Sequence, residues 1–537
     1  MATTDGFAGV RLPRSPVYGT KYMVVSGHSQ ATLAGLRTFE RGGSIADAMV
    51  AASAVLATVL PQATSLGGDA FILRHDAKTG KTEGLNASGP AARGATLDLY
   101  RSKGSEIHDR GALAFSIPGL VRGWEELHKK HGRLPWRELF KDAVEVARAH
   151  PLSRVLAAGL HLYRPAVEAD PGCRAIWFKD GEPLKAGDIV RQPALAETLQ
   201  EIAEKGSAAY YEGRIGRSIA DYARKNGGVA TAADFEGYKP EWVAPLSTDY
   251  RGLDVRVMPP NSYGLLMLMQ LNALSELTSA EIAGAEIAGA EARRLAWQMR
   301  AMRAAFAEGQ RFIADPRTNP APIEKLLGAD MTATLRRAVR TGEHPSLPLR
   351  HPAGGTSCIV LADAAGNAMS VVQSVFHVFG AAFLDPGTGI LMNNRMTGFR
   401  LDPSHPSALA PGKRPSHTLN PVIVTKDNKP RYLMTTPGGP AQTISHVQML
   451  TGMVDRGLEV SAAIEAPRWS LNLAGELLLD EQFSQETERR LEAEYGLKTK
   501  RASGAAFFGS AKVIEIAPNG VMLGAADHRR EAYAAGA

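Results

Sequence analysis

Cysteine is scarce. Cys173 and Cys358 are the only two in 537 residues, too few for a disulfide framework. No apolar run reaches the ~20 residues that a membrane-spanning helix needs. No run of like charge is long enough to make a tail. The net charge of +6 is small for this length and is spread along the chain, so it gives no footing for nucleic acid and only a mild preference for anionic substrates. Metal and nucleotide motifs are missing too: there is no His-Glu-x-x-His helix, no cysteine pairing at zinc spacing and no Walker loop. We therefore expect no metal, no cofactor, no nucleic acid and no membrane. Gly-x-Ser-x-Gly is absent, which argues against a serine hydrolase of the α/β type. The opening residues, Met1-Ala2-Thr3-Thr4-Asp5-Gly6-Phe7, lack a basic stretch followed by an apolar one, so a cytoplasmic location is expected.

What is present is ordinary for a large soluble core: 44% hydrophobic and 22% charged residues. No Ser/Pro-rich linker divides the chain, so one large unit is expected despite its length. Residues 28–60 read as an amphipathic helix or two around Gly42-Gly43. Short strands are expected at 71–74 and 82–86 around Thr79-Gly80, and at 247–258 around Arg251-Gly252. Residues 118–220 read as mostly helical. A tandem five-residue repeat at 280–289 is too short for a solenoid and reads as a slack stretch before a helix at 291–309. The C-terminal part returns to strands, 511–516 and 521–523, around Pro518-Asn519-Gly520. Periodicity alone supports α/β or α+β.

The most informative stretch is Gly354-Gly355-Thr356-Ser357-Cys358. Behind it, Ile359–Ala362 and Ala368–Phe376 flank Asp363-Ala364-Ala365-Gly366-Asn367, a strand, tight turn and strand. A three-residue loop with Gly366 in its left-handed position makes Asp363 the partner of Asn367. Counting back along the ladder, Thr356 faces Ser374. Before it, residues 340–355 carry Gly342, Pro345, Pro348, Pro352, Gly354 and Gly355, which reads as exposed and weakly structured. A cut between Gly355 and Thr356 would leave a hydroxyl and a free amine on one residue. An α-amine titrates near pH ~8 and can act as base for its own hydroxyl. This is the logic of an N-terminal nucleophile hydrolase. The plain alternative is a Thr at a strand edge. Cys358 shares Thr356's face by alternation and reads as a small buried hydrophobe.

Many segments then resemble the γ-glutamyltranspeptidase family in its own order. They include Arg41–Ala48, Leu60-Pro61-Gln62 through Gly67-Gly68-Asp69-Ala70-Phe71, Pro118–Trp124 and His131–Trp136. They continue through Pro259–Gly264, Gly389–Met396, Lys413-Arg414-Pro415 and Pro437-Gly438-Gly439. The resemblance implies an α+β fold, the four-layer αββα sandwich of the N-terminal nucleophile hydrolases. It implies Thr356 as nucleophile, Ser374 as its hydroxyl partner, and Gly438 and Gly439 as oxyanion donors. It also implies self-cleavage into residues 1–355 and 356–537, a large and a small chain that stay associated as one αββα unit. A homodimer of that processed unit is left open.

The resemblance breaks at the substrate clamp. Transpeptidases of the family hold the glutamyl α-carboxylate with an Arg where this chain has Asn86, and the α-amine with an Asp where it has Gly398. A pocket Ser-Ser pair is His417-Thr418 here, and a pocket Asn is Phe376. Both anchors for a zwitterion are gone, while Arg395, His377 and His417 are candidates to supply positive charge or donors to a carboxylate. Each has a plain alternative, as a loop arginine or a packing histidine. Asn86-Ala87-Ser88-Gly89 resembles the amidohydrolase branch, which includes oxamate amidohydrolase. The leading reading is an autoprocessing N-terminal threonine amidohydrolase acting on a small acidic amide such as oxamate. The alternatives are a γ-glutamyl hydrolase or transpeptidase acting on glutathione or other γ-glutamyl amides, and a catalytically silent binding protein on the same scaffold.

Overall fold

The computed structural model describes residues 14–283, 289–344, 354–472, 474–503 and 508–537. Two sheets of seven strands dominate it. In chain order their strands are β1 (Val17–Gly19), β2 (Tyr22–Ser26), β3 (Asp69–Asp76), β4 (Lys81–Ala87), β5 (Glu241–Val243), β6 (Leu246–Tyr250), β7 (Leu253–Val257), β8 (Gly354–Asp363), β9 (Ala368–His377), β10 (Val422–Lys426), β11 (Lys429–Thr435), β12 (Lys512–Ile516), β13 (Met522–Ala526) and β14 (Tyr533–Gly536). One sheet runs β1-β13-β12-β11-β10-β7-β6, the other β14-β2-β8-β9-β3-β4-β5. Every pairing within both is antiparallel.

The side-chain pattern explains the stacking. Along β8, Cys358, Val360 and Ala362 point into a core shared with Ile423 and Leu433 of the other sheet. The alternate residues Ile359 and Leu361 point the opposite way, into a helical layer. Each sheet is thus apolar on both faces and must be covered on both. Helices α1 (Ser29–Glu40) and α2 (Ile45–Val59) cover one sheet. Helices α3 (Gly264–Leu274), α4 (Ala290–Gly309) and α5 (Ala441–Val454) cover the other. This is the αββα sandwich, α+β in class.

Two local expectations are corrected. The pair of helices across Gly42-Gly43 is present, but all fifteen residues of α2 are buried. A helix pressed between a sheet and further helices needs no polar face, and its start is fixed by a capping box between Ser44 and Asp47. Gly354 and Gly355 are not exposed: they are buried and open β8. The rest of the Pro/Gly-rich segment, 345–353, lies outside the described residues, as do residues 1–13 and 284–288 of the five-residue repeat.

Candidate active site

The β8–β9 hairpin has the register expected of it. Gly366 is left-handed at φ 87°, Asp363 N–H donates to Asn367 O at 3.1 Å, and Thr356 pairs with Ser374. The register slips between Gly355 and Thr356, so Thr356 is the last residue before the break. Beyond it, Phe376 takes φ 80°, a strained value for an aromatic residue.

Ser374 is at the centre of the contacts made there. Its Oγ donates to Gly355 O at 2.6 Å, accepts from Phe376 N at 2.7 Å and lies 3.1 Å from Thr356 Oγ1, which donates to it. One donor and two acceptors are all a serine hydroxyl has, so Ser374 is saturated. Thr356 keeps its own lone pairs free beside the Gly355 carbonyl. Both residues are buried.

Gly438 and Gly439 approach from the other sheet, after β11 and just ahead of α5. Gly354 packs against Gly439, whose N would lie 3.3 Å from a Cβ at Gly354. Gly438 has φ 137° and Gly439 φ 59°, conformations that glycine adopts readily. They stand at the N-terminal end of a fourteen-residue helix, where the backbone field favours negative charge.

Asp69 is the residue that motif reasoning passed over. It pairs with Ser374 across β3 and β9, so Thr356, Ser374 and Asp69 form one row on one face. Its Oδ1 accepts from Gly89 N at 3.0 Å and Gly119 N at 3.2 Å. Both glycines lie so close to neighbouring backbone that a Cβ would collide with Ile117 O or Ala87 O, which is what Asn-x-Ser-Gly and Pro-Gly contribute here. Among the described residues its Oδ2 has no hydrogen-bond partner, and it lies 3.6 Å from Arg395 Nε and 3.8 Å from His417 Nε2. A carboxylate directly ahead of the apolar run Ala70–Leu73 was the available signal.

Arg395 is fully buried, not a solvated loop arginine. Its guanidinium lies 4.4 Å above the Phe376 ring, and none of its three nitrogens makes a hydrogen bond among the described residues. Asn393 sets its backbone, Oδ1 accepting from Arg395 N at 2.9 Å, while Asn394 Oδ1 accepts from His377 N at 2.9 Å. Burial lowers the Arg395 pKa to about 10, so it stays cationic at neutral pH.

The histidines do not add charge. His417 is fully buried with both ring nitrogens unpartnered. Burial first, then Arg395 and Arg414, push its pKa well below the usual value, so it offers a neutral ring. His377 lies 3.5 Å from Asp109, and burial outweighs that carboxylate to lower its pKa. Thr418 is buried next in the chain to His417. Asn86 is drawn into a network: its amide donates to Asn261 Oδ1 at 2.9 Å, and its carbonyl accepts from Ser88 N and Oγ. Gly398 is packed too tightly to be a mere missing carboxylate, since a Cβ there would lie 2.8 Å from Ser416 O. Cys358 is buried between the sheets, and burial pushes its thiol up to about 11, away from nucleophilic use. Among the described residues, no cluster of His, Cys, Asp or Glu is suited to a metal ion, and no helix is long and apolar enough to cross a membrane.

The family model for gamma-glutamyltranspeptidase matches residues 31–537. The chain is 34% identical over 531 residues to the glutathione hydrolase-like YwrD proenzyme of Bacillus subtilis (strain 168), covering 97% of this chain and 99% of the relative. It is 30% identical to the oxamate amidohydrolase proenzyme of Klebsiella pneumoniae, covering 96% and 98%. Among solved structures, cephalosporin acylase from Bacillus halodurans superposes with a TM-score of 0.90 at 30% identity, over 100% of this chain and 99% of that one. A sandwich of this topology, matched along nearly its whole length by proenzymes and an acylase, has one family assignment: the chain belongs to the γ-glutamyltranspeptidase family.

Proposed function

We propose that the chain is an autoprocessing N-terminal threonine amidohydrolase that acts on a small amide carrying a carboxylate. The observation that carries this reading is the contact set of Ser374, which joins Thr356 Oγ1 to the Gly355 carbonyl that Thr356 would attack. In the first step Thr356 Oγ bonds to the Gly355 carbonyl carbon. Its proton passes to Ser374, whose own proton moves to the carbonyl oxygen. The C–N bond then breaks, the α-amine takes a proton, and an ester remains. Water hydrolyses the ester, giving the Gly355 carboxylate and Thr356 as a new N-terminus.

In turnover the free α-amine takes the proton from Thr356 Oγ as it attacks the amide carbon. The N–H groups at Gly438 and Gly439 face the developing oxyanion. The amine proton passes to the leaving nitrogen, and water releases the acid. Arg395 is the cation suited to the substrate carboxylate, and the missing anchors at Asn86 and Gly398 disfavour a γ-glutamyl zwitterion. The second reading, a γ-glutamyl hydrolase, is favoured by the glutathione hydrolase-like relative.

The test is a denaturing gel with N-terminal sequencing of the smaller band, then assays on oxamate, glutathione and simple amides. Two bands, Thr356 at the new N-terminus, and turnover of oxamate above glutathione support the proposal. A Thr356→Ala protein that still yields the smaller chain would overturn the nucleophile. Efficient cleavage of glutathione with small acidic amides ignored would favour the second reading. An uncut, inert wild type would favour a binding protein.

A further inference from the structure

Buried polar groups are normally satisfied. Here Asp69 Oδ2, all three Arg395 nitrogens and both His417 ring nitrogens lack hydrogen-bond partners among the described residues, although all three side chains are fully buried. Asp69 Oδ2 lies 3.6 Å from Arg395 Nε and 3.8 Å from His417 Nε2, one strand away from Ser374. A guanidinium with no hydrogen bond, beside a carboxyl oxygen with none, offers unused donors to an oxygen-rich planar group. An incoming carboxylate would meet Arg395 as a cation and Asp69 as a like charge.

We propose that Asp69 is a specificity-determining residue, which admits a carboxylate beside Arg395 only when its free oxygen carries a proton, so that anion and proton enter together. The proposal deepens the amidohydrolase reading and rests on it for the substrate class. Protonated, Asp69 Oδ2 donates to the anion while Oδ1 stays held by Gly89 and Gly119. Ionised, it pairs with Arg395 and repels the anion.

The surroundings leave this titration to Asp69. Burial pushes its carboxyl up to about 7, against the opposing pull of Arg395, the Gly89 and Gly119 N–H groups and Arg414. His417 is held neutral and Arg395 cationic. The phenols that sense Asp69, Tyr210, Tyr211 and Tyr238, are all raised by burial and stay neutral.

The test uses the processed enzyme. The KM for oxamate should rise about tenfold per pH unit above pH ~7, where the acid form is lost. Asp69→Asn puts an amide N–H where the proton would sit, and its KM should stay flat within about twofold. Both should keep the same pH dependence of kcat, which belongs to the α-amine. Calorimetry with oxalate, in two buffers of different ionisation heat, counts protons. Wild type should take up close to one proton per anion at pH 8 and close to none at pH 6, and Asp69→Asn close to none at either. Asp69→Ser replaces the Asn variant if that one fails to process.

A flat wild-type KM, a retained slope or proton uptake in the variant, or no oxalate binding at any pH overturns the proposal. If oxamate is not hydrolysed at all, the amidohydrolase reading fails, and the oxalate proton count still decides the role of Asp69.

Discussion

Ser374→Ala separates self-cleavage from turnover. In the continuous chain the Ser374 hydroxyl donates to the Gly355 carbonyl at 2.6 Å, where negative charge builds when Thr356 attacks. Loss of one such preorganised donor costs about 2.7–4 kcal/mol, or roughly 10²–10³ in rate. After cleavage Gly355 is no longer joined to Thr356, and the contact of Ser374 with the nucleophile is its bond to Thr356 Oγ1. That bond is worth about 0.5–1.5 kcal/mol, roughly two- to tenfold in rate. The same substitution leaves the buried Phe376 N–H without an acceptor, at a stability cost of about 1–3 kcal/mol. The assay is a time course of the two bands on a denaturing gel, followed by turnover normalised to the smaller band. Processing should slow at least ten times more than turnover, and Ser374→Thr should restore both. Processing at the wild-type rate, or equal losses in the two steps, would refute the assigned contacts.

Two further substitutions probe the other parts. Arg395→Gln should raise the KM for a small acidic amide by about 10- to 100-fold, the value of a charge-assisted hydrogen bond, and should leave neutral amides within a few-fold; equal losses on both would remove Arg395 from carboxylate recognition. Gly439→Ala forces a side chain into a left-handed conformation, at φ 59°, for about 1–2 kcal/mol. It should lower kcat at least tenfold with little change in KM, and an unchanged kcat in the folded variant would place the oxyanion donors elsewhere.

The hairpin was legible from sequence because its geometry is local. Gly366 sets the turn, the turn sets the register, and the register alone brings Thr356 opposite Ser374 across eighteen residues. The approach of Gly439 to Gly354 joins two sheets, and no local pattern encodes it. The family's motif order pointed to it instead. Arg395 and His417 were legible as residue types but not in their state. Burial makes one an unpartnered buried cation and the other a neutral ring, and burial is a property of the whole sandwich. Asp69 was missed because its meaning lies in partners far along the chain: Gly89, Gly119, Arg395 and His417. The buried α2 was read as amphipathic because an alanine-rich helix gives little contrast between faces; layers on both sides decide the matter.

The row Asp69–Ser374–Thr356 also explains why the substrate clamp cannot simply be restored at its family positions. An arginine in place of Asn86 would break the bonds to Asn261 and Ser88, and Ser88 leads directly into Gly89, whose N–H holds Asp69. An aspartate in place of Gly398 would push its Cβ to within 2.8 Å of Ser416 O, the residue that precedes His417. Both changes therefore act first on the cradle and the roof of the Asp69–Arg395 site, before any new charge could meet a substrate. In the proposed reading the cation stands on a different element: Arg395, whose backbone is held by Asn393 and whose guanidinium lies over the Phe376 ring. A single cation opposite an acid of adjustable charge selects for one carboxylate. Two fixed opposite charges select for a zwitterion. The packing around Gly398 and Asn86 supports the first arrangement in the function we propose.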